Sequence, residues 1–183
     1  MTREPPAHVL AFLDDLETQA TAHKANRSLK AHLVATWRIL VQWDAPEPVA
    51  LAGLLHSIYG TEAFDVATLP PTPRNRARVR ALIGAEAEDV TYRFCALHRD
   101  EFLRASGQSE ISDRFGPEPL PVSAGQAAAL AEILLANEVD LAMAKKGPDQ
   151  AKIVAKVAPV YQMIRDRLPV RVRAHAVALG LPA

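Results

Sequence analysis

This chain of 183 residues has one cysteine, 5% aromatic residues, a formal net charge of zero and no long apolar run. Its one cysteine, Cys95, excludes an intramolecular disulfide and fits a reducing compartment. No stretch approaches the roughly 18 consecutive apolar residues of a membrane span, and the first residues lack the apolar core of a signal peptide. We therefore expect a cytoplasmic protein that makes no contact with a membrane.

Opposite charges balance, because lysine plus arginine and aspartate plus glutamate each number 21. A neutral chain has no overall field that would attract nucleic acid or a membrane surface. The sequence also lacks a glycine-rich phosphate loop and the motifs Gly-x-Ser-x-Gly, Cys-x-x-Cys and His-Glu-x-x-His. We expect a small-molecule partner and no nucleic acid; the choice between a monomer and a homodimer stays open.

What the chain does have is the composition of a helical domain: 49% hydrophobic and 23% charged residues, with abundant alanine and leucine. Its length fits one domain over residues 1–183. Helical spacing of apolar residues predicts an all-α bundle with helices near 5–23, 29–40, 48–59, 73–84, 85–105, 123–146, 148–168 and 169–179. Predicted N-caps are Ser28, Thr72 and Ser123, a kink is predicted at Pro159, and 107–121 is predicted to be a long loop.

Two histidines stand out within this pattern. His32 lies on the apolar stripe of the second predicted helix, and His56 ends the apolar run 50–55. A buried imidazole needs a carboxylate, a backbone carbonyl or a metal as its partner. The sequence therefore predicts that both rings are largely buried and converge on one site.

Three short sequence motifs in the same region resemble those of a known family. They are Leu-x-x-His-Leu at 29–33, Ala-Gly-Leu-x-His-Ser-x-Tyr-Gly-Thr at 52–61, and a motif at 83–88 that begins with Ile-Gly and ends with Ala-Glu. Over roughly its first hundred residues the chain resembles the HD superfamily of helical metal-dependent proteins. It is most similar to an HD-like branch in which His-Ser replaces His-Asp, so Ser57 stands where the superfamily places an aspartate.

The resemblance implies an HD-like fold and hydrolysis of a phosphoester. It also implies a divalent metal, either Zn, Fe or Mn, held by His32, His56 and Asp140. Glu138, Glu62 and Glu88 are alternative sources of the carboxylate. Two histidines and one carboxylate leave coordination positions open, which is typical of a catalytic metal.

Other side chains near these motifs are candidates for chemistry. Ser57, Tyr59 and Glu88 are candidate catalytic residues, and Asn137 is a candidate for orienting a histidine or contacting the substrate. A basic run at Arg74, Arg76, Arg78 and Arg80 follows a predicted helix start, where the helix dipole favours an anion. We therefore expect Arg76 or Arg80 to face the mouth of the pocket and to bind a small anionic substrate.

A plainer interpretation stays open for each feature. The histidines can be core residues that bond each other, Ser57 or a backbone carbonyl, and the arginines can form a solvated helix face. Three functions remain: an HD-like enzyme acting on a small anionic molecule, with metal-dependent hydrolysis as one reaction; an HD-like protein that binds a ligand or partner without catalysis; and a metal-dependent oxygenase.

Overall fold

The structure, a computed structural model, describes residues 4–19, 29–63, 67–105, 109–146 and 149–183. Within them the fold is all-α and single-domain, as predicted. The helices are α1 (Ala7–Gln19), α2 (Leu29–Gln42), α3 (Glu47–Leu54), α4 (Pro73–Ile83), α5 (Ala85–Ala96), α6 (Arg99–Arg104), α7 (Ala124–Lys146), α8 (Gln150–Ile164) and α9 (Val170–Ala178). A 3₁₀ turn, Arg165–Arg167, follows α8.

Helix α7 is the centre of the domain. It packs against α2, α3, α5 and α8. Leu130, Ile133, Leu135 and Ala136 on this helix are fully buried. A helix that is apolar on nearly all sides is stable only when other elements surround it, and Glu138 and Asp140 in its second half are held inside the domain.

Two predicted caps are confirmed. The Thr72 hydroxyl accepts a hydrogen bond from the Asn75 amide at 3.3 Å, with Pro73 as the first residue of α4. Ser123 and Gln126 form a reciprocal capping box before α7, with bonds of 2.9 and 3.2 Å. The other predicted cap, Ser28, and the predicted end of the first helix near residue 23 lie outside the described residues. Pro159 lies inside α8, which continues through it.

The prediction of one helix over 48–59 was wrong at its end. Helix α3 stops at Leu54, and tight turns follow in which Leu55 bonds Ala52, Ile58 bonds Leu55 and Gly60 bonds Ser57. In a continued helix the Gly53 carbonyl would accept from the Ser57 amide. Here the imidazole of His56 bonds that carbonyl instead, at 2.8 Å. His56 therefore lies in a turn and not in a helix.

Two further boundaries differ from the prediction. The segment 85–105 is two helices, because Leu97 and His98 adopt extended backbone between α5 and α6. The predicted loop 107–121 contains a small antiparallel pair, β1 (Glu110–Ile111) and β2 (Leu120–Pro121), in which Ile111 lies opposite Leu120. Ile111 is buried, so this hairpin adds to the core.

Helix α3 approaches α2 closely at Gly53. A Cβ at this position would collide with Cδ1 of Leu40, which is fully buried. The missing side chain therefore sets the spacing between the helix that carries His32 and the turn that carries His56. Across the described residues, no helix combines the length and the apolar character needed to cross a membrane.

Candidate functional site

A cavity of about 1170 Å³ lies between α2, α7 and the turn after α3. Its wall includes both candidate histidines, Ser57, Asn137 and Asp140. The volume is slightly above the upper end of the range for small-molecule sites, which is about 1,000 Å³. The structure thus brings five of the predicted site residues to one place.

His32 is fixed by a carboxylate from the central helix. Its Nδ1–H donates to Oδ2 of Asp140 on α7 at 2.7 Å, and the Asp140 side chain is 6% exposed. This hydrogen bond sets the rotation of the ring, so that its other nitrogen, Nε2, points away from α7.

His56 is fixed by a backbone carbonyl. Its Nδ1–H donates to the Gly53 oxygen at 2.8 Å. The rings of His56 and Phe94 form a T-shaped contact with 5.3 Å between their centroids. The backbone carbonyl of His56 accepts from the thiol of Cys95 at 3.1 Å. Both the ring and the backbone of His56 are therefore held by neighbours within the core.

The two rings meet at their free nitrogens. Nε2 of His32 lies 3.2 Å from Nε2 of His56, with the rings nearly perpendicular. Burial, and next the positive charge of His32, lower the pKa of His56 from 6.5 to about 4. At neutral pH the one proton of His56 is on Nδ1, because the Gly53 carbonyl can only accept, and its Nε2 carries a lone pair.

This assignment fixes where the remaining protons lie. A hydrogen bond between the two Nε2 atoms requires a proton on Nε2 of His32, since Nε2 of His56 is an acceptor. A separate proton lies in the 2.7 Å hydrogen bond between Nδ1 of His32 and Asp140. When the two Nε2 atoms share a hydrogen bond, His32 is therefore its donor and the shared proton faces His56.

The donor set does not form the metal centre that the HD resemblance implies. Two Nε2 atoms 3.2 Å apart are close to the separation of about 3.4 Å between two ligands of a tetrahedral Zn site. However, Asp140 bonds the far nitrogen of His32, and Ser57 offers a neutral hydroxyl in place of a carboxylate. Among the described residues, no group of three or more His, Cys, Asp or Glu side chains is arranged to hold a metal ion. Asp140 is thus the outer partner of His32 and not a third ligand beside the histidines.

Ser57 is the polar group of the wall that lacks a partner. The residue is 5% exposed, and its hydroxyl makes no hydrogen bond within the described structure. An unpaired buried hydroxyl costs about 1–3 kcal/mol, so such groups are uncommon in folded proteins. Ser57 follows His56 in the chain and belongs to the same wall, but its hydroxyl oxygen is itself buried.

Arg99, Glu138 and Glu62 are charged residues of the wall that have hydrogen-bond partners. Nη2 of Arg99 donates to Glu138 at 2.9 Å, and the Arg99 amide donates to Glu62 at 2.8 Å. Glu62 also bonds Nδ1 of His98 at 3.0 Å, and this bond lowers the pKa of Glu62. Asn137 lies in the same wall, and its side chain acts to raise the pKa of His56 against the larger lowering effect of burial.

Four predicted site residues form a separate cluster. Glu88 on α5 is fully buried and accepts from Arg76 at 2.7 and 3.1 Å, from Arg80 at 2.9 Å and from the Tyr59 hydroxyl at 3.2 Å. None of the four lines the cavity. The expectation that Arg76 or Arg80 faces the pocket mouth was therefore wrong, because both reach across the corner at Gly84 to Glu88.

This second cluster also removes the predicted roles of Glu88 and Tyr59 at the histidines. Burial, followed by the charge of Glu88, raises the pKa of Tyr59, so its hydroxyl stays protonated and donates. Arg76 stacks on the ring of Tyr92 at 3.6 Å from its centroid. The arginine run contributes structural ion pairs between α4 and α5.

Sequence reasoning did not identify two contacts of the site. The Gly53 carbonyl gave no signal, since backbone groups are not visible in a residue pattern. The pairing of Arg99 with Glu138 joins residues 39 positions apart, which no local spacing indicates. The spacing of His32, Leu33 and Thr36 on one helix face was the signal that placed His32 inward.

Comparison with known proteins gives one match. A family described as a domain of unknown function, DUF6817, matches residues 12–99. The matched segment includes both histidines and Ser57 but ends before α7, which supplies Asp140. No curated protein and no solved structure matches the chain.

Proposed function

We propose that this protein is an HD-like helical enzyme that performs acid–base chemistry on a small molecule in the cavity, with His32 as the catalytic residue. The observation that carries the proposal is the 3.2 Å contact between an Asp140-bound and a Gly53-bound histidine in the cavity wall. The succession of His32 on α2, His56 after α3 and Asp140 on a late helix supports the HD-like relationship.

The proton on Nε2 of His32 is the one that reacts. In the free protein Nε2 of His56 accepts it; a substrate oxygen or nitrogen that enters beside His32 receives it instead. His32 is then a neutral imidazole whose Nδ1–H remains on Asp140, and its Nε2 lone pair later takes a proton from water or product. This cycle suits hydrolysis, where a leaving-group oxygen needs a proton.

His56 and Asp140 act through His32 and are positioning residues. Asp140 stabilises the charged imidazole and fixes its orientation, as carboxylates do behind catalytic histidines. With a pKa of about 4, His56 stays neutral and does not compete for the proton at neutral pH. Its lone pair holds the proton of His32 towards the cavity wall.

The proposal is tested by comparing wild-type protein with His32→Gln. Both are treated with a chelator and incubated with a mixed extract of cellular small molecules, and consumption is followed by mass spectrometry. We expect wild type to consume at least one compound, and His32→Gln to do so about 10²–10⁴-fold more slowly. His8→Gln, which changes an exposed histidine on α1, should match wild type.

Three outcomes would overturn the proposal. Full turnover by His32→Gln would remove the acid role of His32. Turnover only after a divalent metal is restored would favour a metal enzyme. A compound that binds tightly and is returned unchanged would favour the ligand-binding function over the enzyme.

A further inference from the structure

The cavity extends along α7 on both sides of the histidine pair. Its wall on this helix begins at Leu134 and continues past Asp140 to Ala144. At a rise of about 1.5 Å per residue, the distance along the helix from Leu134 to Ala144 is about 15 Å. Asp140, which bonds His32, lies between these limits. A ligand can therefore contact the wall before and after the level of His32.

Helix α2 runs antiparallel to α7, and this direction decides where its own wall residues lie. Leu40 of α2 and Ile133 of α7 lie against the same point of α3. His32, earlier on α2, bonds Asp140, later on α7. Leu29 comes about one turn before His32, so it lies beside the residues that follow Asp140 on α7.

Apolar side chains line the wall on each side of the histidine pair. Leu29 and Met143 lie on one side, and Leu134 lies on the other. His32 is the more accessible ring of the pair, since its side chain is 17% exposed whereas His56 is 2% exposed. Burying one CH₂ group of a ligand against apolar side chains strengthens binding about fourfold. A molecule that fills the cavity therefore gains affinity from apolar groups on both sides of the part that touches His32.

We propose that the substrate carries its reacting group between two apolar groups, so that each apolar group occupies one side of the cavity while the reacting group touches His32. This inference rests on the proposed function, which makes Nε2 of His32 the atom that gives its proton. The reacting group is then in the interior of the substrate and not at its end. Leu29 and Leu134 are the residues that determine this specificity, one for each side.

Two isomeric ketones test the inference, because they differ only in the position of the carbonyl. In 5-nonanone the carbonyl has a butyl chain on each side, whereas in 2-nonanone it lies between a methyl group and a heptyl chain. We expect 5-nonanone to bind wild type about threefold to tenfold more tightly, because its carbonyl accepts the proton of His32 while both chains are buried. Dissociation constants are measured at pH 7 by NMR titration. Nuclear Overhauser effects from the terminal methyl groups of 5-nonanone should reach the methyl groups of both Leu29 and Leu134.

Three variants separate the two sides of the cavity. Leu29→Ala and Leu134→Ala should each weaken binding of 5-nonanone about threefold to tenfold, since each removes the side chain that contacts one butyl chain. At most one of them should weaken binding of 2-nonanone, whose long chain occupies one side only. Leu82→Ala is the control, because Leu82 is also partly buried but lies outside the described wall of the cavity. Leu134 is almost fully buried, so a thermal melt checks that Leu134→Ala is folded, and the Overhauser effects in wild type test its side without a substitution.

The outcomes separate this inference from the proposed function. Equal or tighter binding of 2-nonanone, contacts of 5-nonanone with only one of the two leucines, unchanged binding of 5-nonanone by Leu29→Ala, or no binding of either ketone at millimolar concentration would overturn the inference. These measurements follow binding and not turnover, so they leave the comparison of His32→Gln with wild type unaffected. Slow turnover by His32→Gln together with equal binding of the two ketones would keep the enzyme and reject the two-sided substrate.

Discussion

The Glu88 cluster and the histidine cluster, two of the buried polar clusters in the described residues, differ in whether all their groups are satisfied. The Glu88 carboxylate accepts four hydrogen bonds, from Arg76, Arg80 and Tyr59, and lies away from the cavity. The histidine cluster lies in a cavity wall beside the Ser57 hydroxyl, which has no partner among the described residues. A saturated cluster stabilises the fold, whereas a cluster with capacity left for another molecule is the better candidate for function.

The largest effect on stability should come from the saturated cluster. Glu88→Ala leaves Arg76 and Arg80 without their carboxylate; we expect a loss of about 3 kcal/mol in the free energy of unfolding, measured by urea denaturation. Glu86→Ala, an exposed position on the same helix, is the control and should change it by less than about 0.5 kcal/mol. A loss for Glu88→Ala as small as that of the control would show that the cluster is not structural.

The histidine cluster should make stability depend on pH. Burial lowers the pKa of His56 in the folded state to about 4, while the unfolded chain has the ordinary value of 6.5. Between these values the unfolded chain binds a proton that the folded protein does not, so stability falls as the pH drops from 6.5 to 4. Over this range the titration of His56 lowers the free energy of unfolding by up to about 3 kcal/mol.

Urea denaturation at several pH values checks this expectation. His56→Gln has no group to titrate and should flatten the slope in the pH window from 6.5 to 4. His8→Gln should keep the wild-type slope. Parallel curves for wild type and His56→Gln would mean that His56 titrates normally and is not buried as described.

A smaller effect is expected at the contact between α2 and α3. Gly53→Ala places a methyl group against Leu40, which must shift within a packed core at a cost of about 1–3 kcal/mol. The same shift moves the carbonyl that holds His56, so the ring resonances of His56 in an NMR spectrum should change. Gly125→Ala, in the open first turn of α7, should be neutral or slightly stabilising. Equal melting temperatures for the two variants would contradict the close approach.

The smallest effect is expected at Thr36. Its buried hydroxyl lacks a hydrogen bond, so Thr36→Val should raise the free energy of unfolding by up to about 1 kcal/mol. Thermal denaturation, with Val34→Thr as the reverse exchange on the same helix, measures the difference. A destabilised Thr36→Val would show that the hydroxyl has a bound water as its partner.

Local signals in the sequence predicted much of the fold. Thr72, Ser123 and Gln126 make the caps that their spacing predicts, because a cap depends on residues within one turn. The break after Ala96 and the turn at His56 were missed. Both depend on which donor forms a hydrogen bond with a given backbone carbonyl. The spacing of apolar residues does not indicate which donor that is.

The candidate site was predicted in part for the same reason. The inward stripes placed His32 and His56 in the core, and the HD resemblance singled out Asp140. The arginine run was misread, because its charge pattern indicates a cationic surface while the deciding partner, Glu88, lies on the next helix. Pairing across helices is a property of the packed domain, which local spacing does not determine.

The bond between His32 and Asp140 joins residues 108 positions apart in the chain. Helices α1 to α6 can form from local interactions, but this contact closes most of the chain into one loop and must wait until α7 has docked. The histidine site is therefore complete only after α7 has packed against α2. A chain still emerging from the ribosome holds both histidines before it holds the carboxylate that orients His32.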